Sequence, residues 1–381
     1  MWWYQCEQTA KGTGCDAFGV CGKDPKTAAL QDLLLYLTKG VSMYARRAFD
    51  LGAQDTVVDK FVIESLFTTI TNVNFDPTRL EGIIREGVTV RNTARNLYEA
   101  ATLKAGAKVE QLTGPAVWQP AGLVTQGEEL VLSKDLAARG ADLVGLENLI
   151  LFGLKGMAAY ADHARVLGIV DSKVNAFFHE ALDFLTQPNL GVDALLGMAL
   201  RCGEVNIRVM EILDEANTSN YGHPVPTPVR INAVKGKAIL VSGHDLKDLE
   251  ELLKQTEGTG INIYTHGEML PTHGYPGLKK YSHFVGNYGG AWQDQQKEFA
   301  AFPGSILMTT NCIQKPADSY KSRIFTCGLV AWPGVVHIAD RNFKPVIDAA
   351  LAAPGFPETE PEKTILVGFG RNAVLGAAPK V

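Results

Sequence analysis

Positive charge is in short supply in this sequence, and no segment concentrates it. The chain has 36 lysine and arginine residues against 41 aspartate and glutamate residues, which gives a formal net charge of −5 at pH 7. Proteins that bind a polyanion such as nucleic acid do so largely through clustered basic side chains that displace counterions from the phosphates. The composition therefore argues against a nucleic-acid partner.

The sequence also lacks a long hydrophobic run. Met1 is followed by neither the basic segment nor the apolar core of a secretory signal. No uninterrupted apolar run approaches the roughly 18 residues that would span a bilayer. We therefore expect a soluble, cytoplasmic protein with no membrane partner.

Cysteine is scarce as well, with six cysteines in 381 residues. That is too few for a disulfide scaffold in a chain of this length, and a reducing cytosol would keep them as thiols. Three of them, Cys6, Cys15 and Cys21, nevertheless lie close together in a glycine-rich stretch. Glycines let a backbone wrap a compact iron–sulfur cluster, so this spacing favours a metal site over three free thiols. A cubane cluster would need a fourth ligand, but the usual C-x2-C step leads back to Trp3.

One segment of the chain occurs twice. LLLYLTKGVSMYARRAFDLG recurs as LILFGLKGMAAYADHARVLG at an offset of 116 residues. Within each copy the apolar residues are three and four positions apart, which predicts helices that bury one face. We predict a helical domain over 29–228, built as two three-helix bundles from repeats at about 29–111 and 145–222. It would follow a cysteine-rich cluster loop at 1–28.

After residue 230 the pattern changes from helical to alternating strand and helix. KAILVSG, INIYTH, SILMTT and RIFT read as short buried strands, and DLKDLEELLKQT reads as an amphipathic helix capped by Asp245. This order predicts a parallel-sheet α/β domain of the Rossmann-like type over 229–356. The linker APGFPETEPEK and the strand TILVGFG, within 357–381, are assigned to the start of a truncated second α/β domain. The fold class is therefore α+β multidomain.

Ligand-type side chains follow three of the predicted strands. His244, Glu268 and Cys312 each come just after a strand ends. Open α/β sheets bind their ligands at the carboxyl ends of the strands, and neighbouring strands are about 4.8 Å apart, so the three side chains could reach one centre. An imidazole, a carboxylate and a thiolate together suit iron with mixed ligation. Taken singly, each residue is more often structural, as a cap, a surface group or an apolar filler.

Two further cysteines are harder to place. Cys327 also ends a predicted strand, so it is either a fourth contact to the metal or an inert buried thiol. Cys202 lies within a helix of the second repeat, and we predict that it belongs to the core.

Several runs of the sequence closely resemble the hybrid cluster proteins, also called prismane proteins or hydroxylamine reductases. They are QCEQTAKGTGC, SGHDLKDLEELLKQTEGTGINIYTHGEMLP, YSHFVGNYGGAW and ILMTTNC, and the likeness extends over essentially the whole chain. The resemblance implies a helical domain of two three-helix bundles, followed by α/β domains related to those of nickel carbon monoxide dehydrogenases. It also implies a [4Fe–4S] cluster near the amino terminus and a hybrid Fe–S–O cluster at the domain junction.

The resemblance assigns the ligands position by position. Those of the first cluster match Cys6, Cys15 and Cys21, and three of those of the hybrid cluster match His244, Glu268 and Cys312. Trp3 stands where the family has its fourth amino-terminal cysteine. The family's last α/β domain, which supplies the remaining ligands of the hybrid cluster, would begin where this sequence ends.

Two functions follow from the resemblance. In the first, the chain reduces hydroxylamine to ammonia, or nitric oxide to nitrous oxide, at the hybrid cluster. The expected partners are then a small nitrogen-oxide substrate, an electron-donor protein, a second polypeptide that supplies the missing domain, and further copies in a homo-oligomer. In the second, the chain is a degenerate or truncated member that serves as a structural or assembly subunit. Trp3 favours the second, whereas retention of GHD, THGEM and TTNC favours the first.

Overall fold

The structure is a computed structural model that describes residues 15, 17–130 and 132–380. The chain divides into two compact units. The first comprises Met1–Arg165 and Ile169–Leu213, and the second comprises Val166–Gly168 and Asp214–Val381.

The first unit is helical, and its helix bounds follow the sequence repeat. Its helices are α1 (Pro25–Asp50), α2 (Thr56–Thr68), α3 (Pro77–Lys104), α4 (Leu123–Glu128), α5 (Leu132–Arg139), α6 (Ala141–Val166), α7 (Ser172–Phe184) and α8 (Val192–Tyr221). Helices α6 and α7 begin and end 116 residues after α1 and α2. The duplicated sequence therefore forms duplicated helices.

Aspartate residues fix where several of these helices begin. The carboxylates of Asp24, Asp55, Asp76 and Asp171 each accept a hydrogen bond from an amide of the first turn of α1, α2, α3 and α7. Such a cap satisfies an amide that has no partner within the helix, and it stabilises the helix by about 1 kcal/mol. Asp55 and Asp171 are again 116 residues apart, so the start signal was duplicated with the helix.

Contacts between the two copies tie the first unit together. Asp59 and Asn175 occupy equivalent positions of the repeat, and the Asn175 amide donates to the Asp59 carboxylate at 3.1 Å. Side chains from α1, α2, α3, α6, α7 and α8 form one continuous hydrophobic core. Cys202 lies in this core, as the sequence predicts. The division into two separate three-helix bundles stays a prediction.

Helix α6 is unusually apolar. Among the described residues it is the one helix that is long and apolar enough to cross a membrane by length and composition, and 44% of its most apolar window is buried inside the protein. The sequence analysis did not single it out because Glu147 and Lys155 interrupt the run. Lys155 is buried, and its ammonium donates to the Thr69 carbonyl at 3.2 Å. Such burial is typical of a helix in a protein core.

The second unit is built on a mostly parallel sheet, as predicted. The strands are β1 (Thr227–Arg230), β2 (Lys237–Ser242), β3 (Ile261–Thr265), β4 (Phe284–Asn287), β5 (Ser305–Met308), β6 (Ile324–Cys327), β7 (Val336–Ile338) and β8 (Thr364–Val367). Their order is β7-β6-β5-β2-β3-β4-β1-β8, and only the β1–β8 pair is antiparallel. The helices are α9 (Leu246–Thr256), α10 (Pro276–Lys279), α11 (Gln295–Ala301), α12 (Lys344–Ala352) and α13 (Arg371–Ala377).

Two features of this sheet correct the sequence analysis. Strand β8 was assigned to a truncated second domain, but it pairs with β1 from Thr227–Val367 to Arg230–Thr364 and so belongs to the same sheet. Strand β1 itself spans the predicted boundary between the helical domain and the α/β domain at residue 228, where the sequence analysis gives no strand. Its partner strand far along the chain, rather than its own sequence, makes this short segment extended.

The predicted start of α9 is confirmed. The Asp245 carboxylate caps the helix by accepting from the Asp248 amide at 2.8 Å. The strand β2 that precedes this cap is almost wholly buried. The turn between β2 and α9 is therefore fixed at both of its ends.

Candidate metal centre

The three predicted ligands lie on neighbouring loops at one edge of the sheet. Strand β2 lies between β3 and β5. His244 follows β2, Glu268 follows β3, and Cys312 follows β5. Because the three strands are parallel, their carboxyl ends and the loops that leave them are at the same edge.

The structure brings these three side chains together. One ligand atom from each of His244, Glu268 and Cys312 lies within 4.8 Å of the other two. His244 Nε2 is 2.5 Å from Glu268 Oε2, and Cys312 Sγ is 3.5 Å from the same oxygen. Within the described part of the chain this is the one group of three or more histidine, cysteine or acidic residues that could hold a metal ion.

A glycine and a threonine orient His244. Gly243 has a φ of +109°, and a Cβ atom there would lie 2.4 Å from Thr309 Oγ1 and 2.8 Å from the Thr310 amide nitrogen. This close approach lets the His244 amide donate to Thr310 Oγ1 at 2.9 Å, and His244 Nδ1 lies 3.2 Å from the same hydroxyl. A hydrogen bond at one ring nitrogen fixes the ring and directs the other nitrogen to the metal. Here that nitrogen is Nε2, which faces Glu268.

Glu268 stands on a segment that is anchored by a buried histidine. It lies in the 3-10 helix Gly267–Gly274, and its side chain is 64% exposed. Two residues earlier, His266 is buried, and its Nε2 is 2.8 Å from a Glu298 carboxylate oxygen. Burial lowers the pKa of His266. His266 therefore anchors the start of this loop, while Glu268, the candidate metal ligand, faces solvent.

Cys312 is held in a backbone conformation that side chains rarely adopt. Its φ is +74°, and its carbonyl accepts a hydrogen bond from the Gln295 side-chain amide at 2.8 Å. Burial, the charge of Glu268 and the hydrogen bond to Glu268 raise the pKa of the Cys312 thiol to about 12. At neutral pH the metal-free thiol is therefore protonated, and binding of a metal must release that proton.

The donor set fits iron with mixed ligation. One imidazole nitrogen, one carboxylate oxygen and one sulfur face each other, with a second hydrogen bond that orients the imidazole. Hard and soft donors in one group suit a mixed iron–sulfur–oxygen centre better than a structural zinc site, which takes mostly thiolates. The sequence analysis found all three donors but missed Gly243, Thr310 and Gln295, which position them from other segments.

Cys327 does not join this group. Its thiol is buried and donates to Asp248 Oδ2 at 3.1 Å, while the other oxygen of Asp248 accepts from Arg341 Nε at 2.5 Å. Burial, together with the charge of Asp248, raises the pKa of Cys327 well above that of a free thiol. Of the two roles considered for Cys327, the structure favours the inert buried thiol.

The buried carboxyl of Asp248 makes the stability of the second unit depend on pH. Burial and the nearby Asp245 raise its pKa to about 7, although Arg341 and Cys327 oppose the shift, against about 3.9 in an unfolded chain. The folded state then binds more protons between pH 4 and 7, so this group's contribution to the free energy of unfolding is full below pH 4 and is lost as pH rises through 7. We expect Asp248→Asn to flatten that decline by at least about 1.4 kcal/mol, as measured by urea unfolding at pH 5 and pH 8.

The comparison with wild type isolates Asp248, because every other carboxyl is present in both proteins. A parallel decline in the two proteins would show that Asp248 is ionised throughout this range.

The amino-terminal cysteines are only partly covered by the structure. Cys15 and Cys21 are half-buried, whereas Cys6 and Trp3 lie outside the described residues. The loop beyond Cys21 is tied to α1, since buried Lys23 donates to Gln31 Oε1 at 2.5 Å. The role of Cys6, Cys15 and Cys21 as ligands of one cluster stays a prediction.

Comparisons with known proteins show which family this chain is similar to. The sequence matches the Prismane/CO dehydrogenase family over residues 1–374. A hydroxylamine reductase from Rhodospirillum rubrum is 56% identical over 385 residues, which cover all of this chain and 70% of the relative. Hydroxylamine reductases from Syntrophobacter fumaroxidans and Geobacter metallireducens are 56% and 54% identical with the same coverage.

A solved structure, carbon monoxide dehydrogenase IV from Carboxydothermus hydrogenoformans, is similar over 98% of this chain and 58% of its own length. The TM-score is 0.42 and the sequence identity is 15%. The family of this chain is therefore decided by the sequence matches and not by this structural likeness. One family accounts for nearly the whole sequence, and its relatives are more than half identical across it. The chain therefore belongs to the Prismane/CO dehydrogenase family.

Proposed function

We propose that this chain is an iron–sulfur oxidoreductase that reduces hydroxylamine to ammonia. The observation that carries the proposal is the convergence of His244, Glu268 and Cys312 from three strand ends to within 4.8 Å. The relatives that match the whole chain are named hydroxylamine reductases, which supports the same activity here. The balanced reaction takes up two electrons and two protons per hydroxylamine and yields ammonia and water.

The residues of this chain would divide the work between two centres. His244, Glu268 and Cys312 would hold a mixed iron–sulfur–oxygen cluster, and Cys6, Cys15 and Cys21 would hold a [4Fe–4S] cluster that relays electrons. When bound, the mixed iron–sulfur–oxygen cluster would supply electrons and an iron position that can take up a small nitrogen-oxide substrate. We place both in a reducing cytoplasm, with a separate protein as the electron donor.

The side chains around the centre have roles that do not depend on the details of the cluster. Thr310 holds the His244 ring so that Nε2 faces the centre. Glu268 is exposed and its Oε2 lies beside the ligand atoms of His244 and Cys312, so the proton that Cys312 loses when metal binds can pass to solvent at this edge of the site while the carboxylate stays a ligand.

A structural or assembly role is the second candidate. It is favoured by Trp3, because an indole cannot replace the thiolate that the family resemblance places at that position. In this case the protein would have relatives with clusters but bind none itself.

Anaerobic purification distinguishes the two candidates. We expect the protein to contain iron and acid-labile sulfide in more than the amount of one cubane per chain, and to oxidise reduced methyl viologen only when hydroxylamine is added. Protein that has been heated and aggregated provides the blank rate. Purified, folded protein with neither iron nor sulfide would refute the enzyme and leave the structural role.

A further inference from the structure

Cys312 occupies a strained position in the backbone. Among the described residues, only Asn72, Asn189, Cys312 and Arg341 have a positive φ without being glycine. Asparagine adopts this left-handed region fairly readily, whereas most other side chains pay about 1–2 kcal/mol. A cysteine at φ +74° must therefore be held there by its surroundings.

One buried side chain holds the backbone at this residue and two positions after it. Gln295, at the start of α11, is 1% exposed. Its Nε2 donates to the Cys312 carbonyl at 2.8 Å, and its Oε1 accepts from the backbone N–H of Gln314 at 2.9 Å. The two bonds span the Cys312–Gln314 turn and fix the direction in which the Cys312 side chain leaves it.

The chemistry of the amide explains why this position has a glutamine. A side-chain amide donates and accepts at the same time, whereas a carboxylate only accepts and an ammonium only donates. With the amide in place, the thiol lies 3.5 Å from Glu268 Oε2. Without it, the Cys312 carbonyl loses the donor that Gln295 supplies, and the turn could relax to a negative φ that redirects the thiol.

We propose that Gln295 is a positioning residue that holds Cys312 in the left-handed conformation and so aims its thiol at Glu268 and His244. The role of Cys312 as a metal ligand rests on the proposed function. The two hydrogen bonds from Gln295 form in the metal-free polypeptide, so their effect on Cys312 can be measured without metal.

The test is the rate at which the Cys312 thiol of metal-free, folded protein reacts with an alkylating reagent, followed by mass spectrometry of the Cys312 peptide. We expect Gln295→Leu to raise this rate by about tenfold or more. The variant loses both hydrogen bonds that hold the Cys312–Gln314 turn, so the thiol becomes accessible to the reagent more often. Gln296→Leu is the matched control. Gln296 is the exposed neighbour, it donates to the Lys315 carbonyl at 3.3 Å, and its replacement is expected to change the rate less than twofold.

A second variant covers the case in which Gln295→Leu fails to fold. Gln295→Met keeps the length of the unbranched side chain but removes the amide, so it loses both the donor to the Cys312 carbonyl and the amide acceptor for the Gln314 backbone N–H. We expect Gln295→Met to raise the rate of alkylation of Cys312 as well, because both hydrogen bonds to the turn are lost. Wild-type reactivity of Cys312 in a folded Gln295 variant would overturn the proposal.

Iron content separates this proposal from the proposed function. After anaerobic reconstitution, wild-type protein is expected to retain more iron than Gln295→Leu, while Gln296→Leu retains as much as wild type. If wild type itself takes up no iron, the proposed function fails, but the alkylation rates still decide whether Gln295 positions Cys312.

Discussion

Cys312→Ala is expected to lower the hydroxylamine-dependent rate by at least about 100-fold and to remove iron from the centre. Metal affinity depends on several donors acting together, and Cys312 is the one sulfur donor in the group. The two donors that remain, His244 Nε2 and Glu268 Oε2, are 2.5 Å apart and would bond to each other. The measurements are iron per chain after anaerobic reconstitution and the rate of dye oxidation.

Cys202→Ala is the matched control for this experiment. Its thiol is buried in the core of the helical unit, 3.4 Å from Met157 Sδ, and takes no part in the metal group. We expect this variant to keep its iron and its rate, with at most a modest loss of stability. A Cys312→Ala protein with the iron and the rate of wild type would show that these three donors are not the centre of the reaction.

The candidate ligands could be found from the sequence because their positions follow from local patterns. The strands before His244, Glu268 and Cys312 are short apolar runs, and parallel strands place their carboxyl ends together. Each candidate ligand comes soon after its own strand, so its position at the sheet edge follows from the local pattern alone. Gln295 could not be found in this way, because its bonds to residues 312 and 314 depend on how α11 packs beside the loop after β5.

The strands that were missed are short and carry weak signals. Strand β1 reads TPVR and β4 reads FVGN, and both contain residues that are depleted in strands. Proline has no amide hydrogen to donate, yet β1 lies between two other strands. Strand β1 is extended because it pairs with β8, over 130 residues away, and its own sequence gives no sign of this pairing.

The repeat accounts for helices that begin and end at equivalent positions in the two copies, but it does not determine which faces they bury. Leu33 of α1 is 1% exposed, whereas its counterpart in α6, Leu149, is 57% exposed. Leu80 of α3 is fully buried, whereas its counterpart in α8, Leu196, is 47% exposed. Caps and periodicity are local and were copied with the sequence, but burial depends on neighbours that differ between the copies.

Asp59→Ala is expected to lower the free energy of unfolding by about 3 kcal/mol. Asp59 Oδ1 is 2.8 Å from His179 Nε2, and Oδ2 accepts from Asn175 at 3.1 Å. The His179 side chain is 3% exposed, and its Nδ1 lies 3.3 Å from Ser42 Oγ. The variant leaves two buried polar groups from α7 without their acceptor, and each costs about 1–3 kcal/mol when water cannot replace the lost partner. Chemical denaturation followed by circular dichroism measures the loss.

Asp50→Ala removes a carboxylate of the same kind from a nearby exposed site. Asp50 is 51% exposed and pairs with Arg46 at 2.9 Å within one helix, an arrangement that contributes less than about 1 kcal/mol. The difference between the two variants therefore measures the buried network, because both changes delete one aspartate from the same unit. Equal losses would mean that the bonds from Asp59 to α7 add nothing beyond a surface charge, and that the other contacts between the two copies of the repeat hold them together.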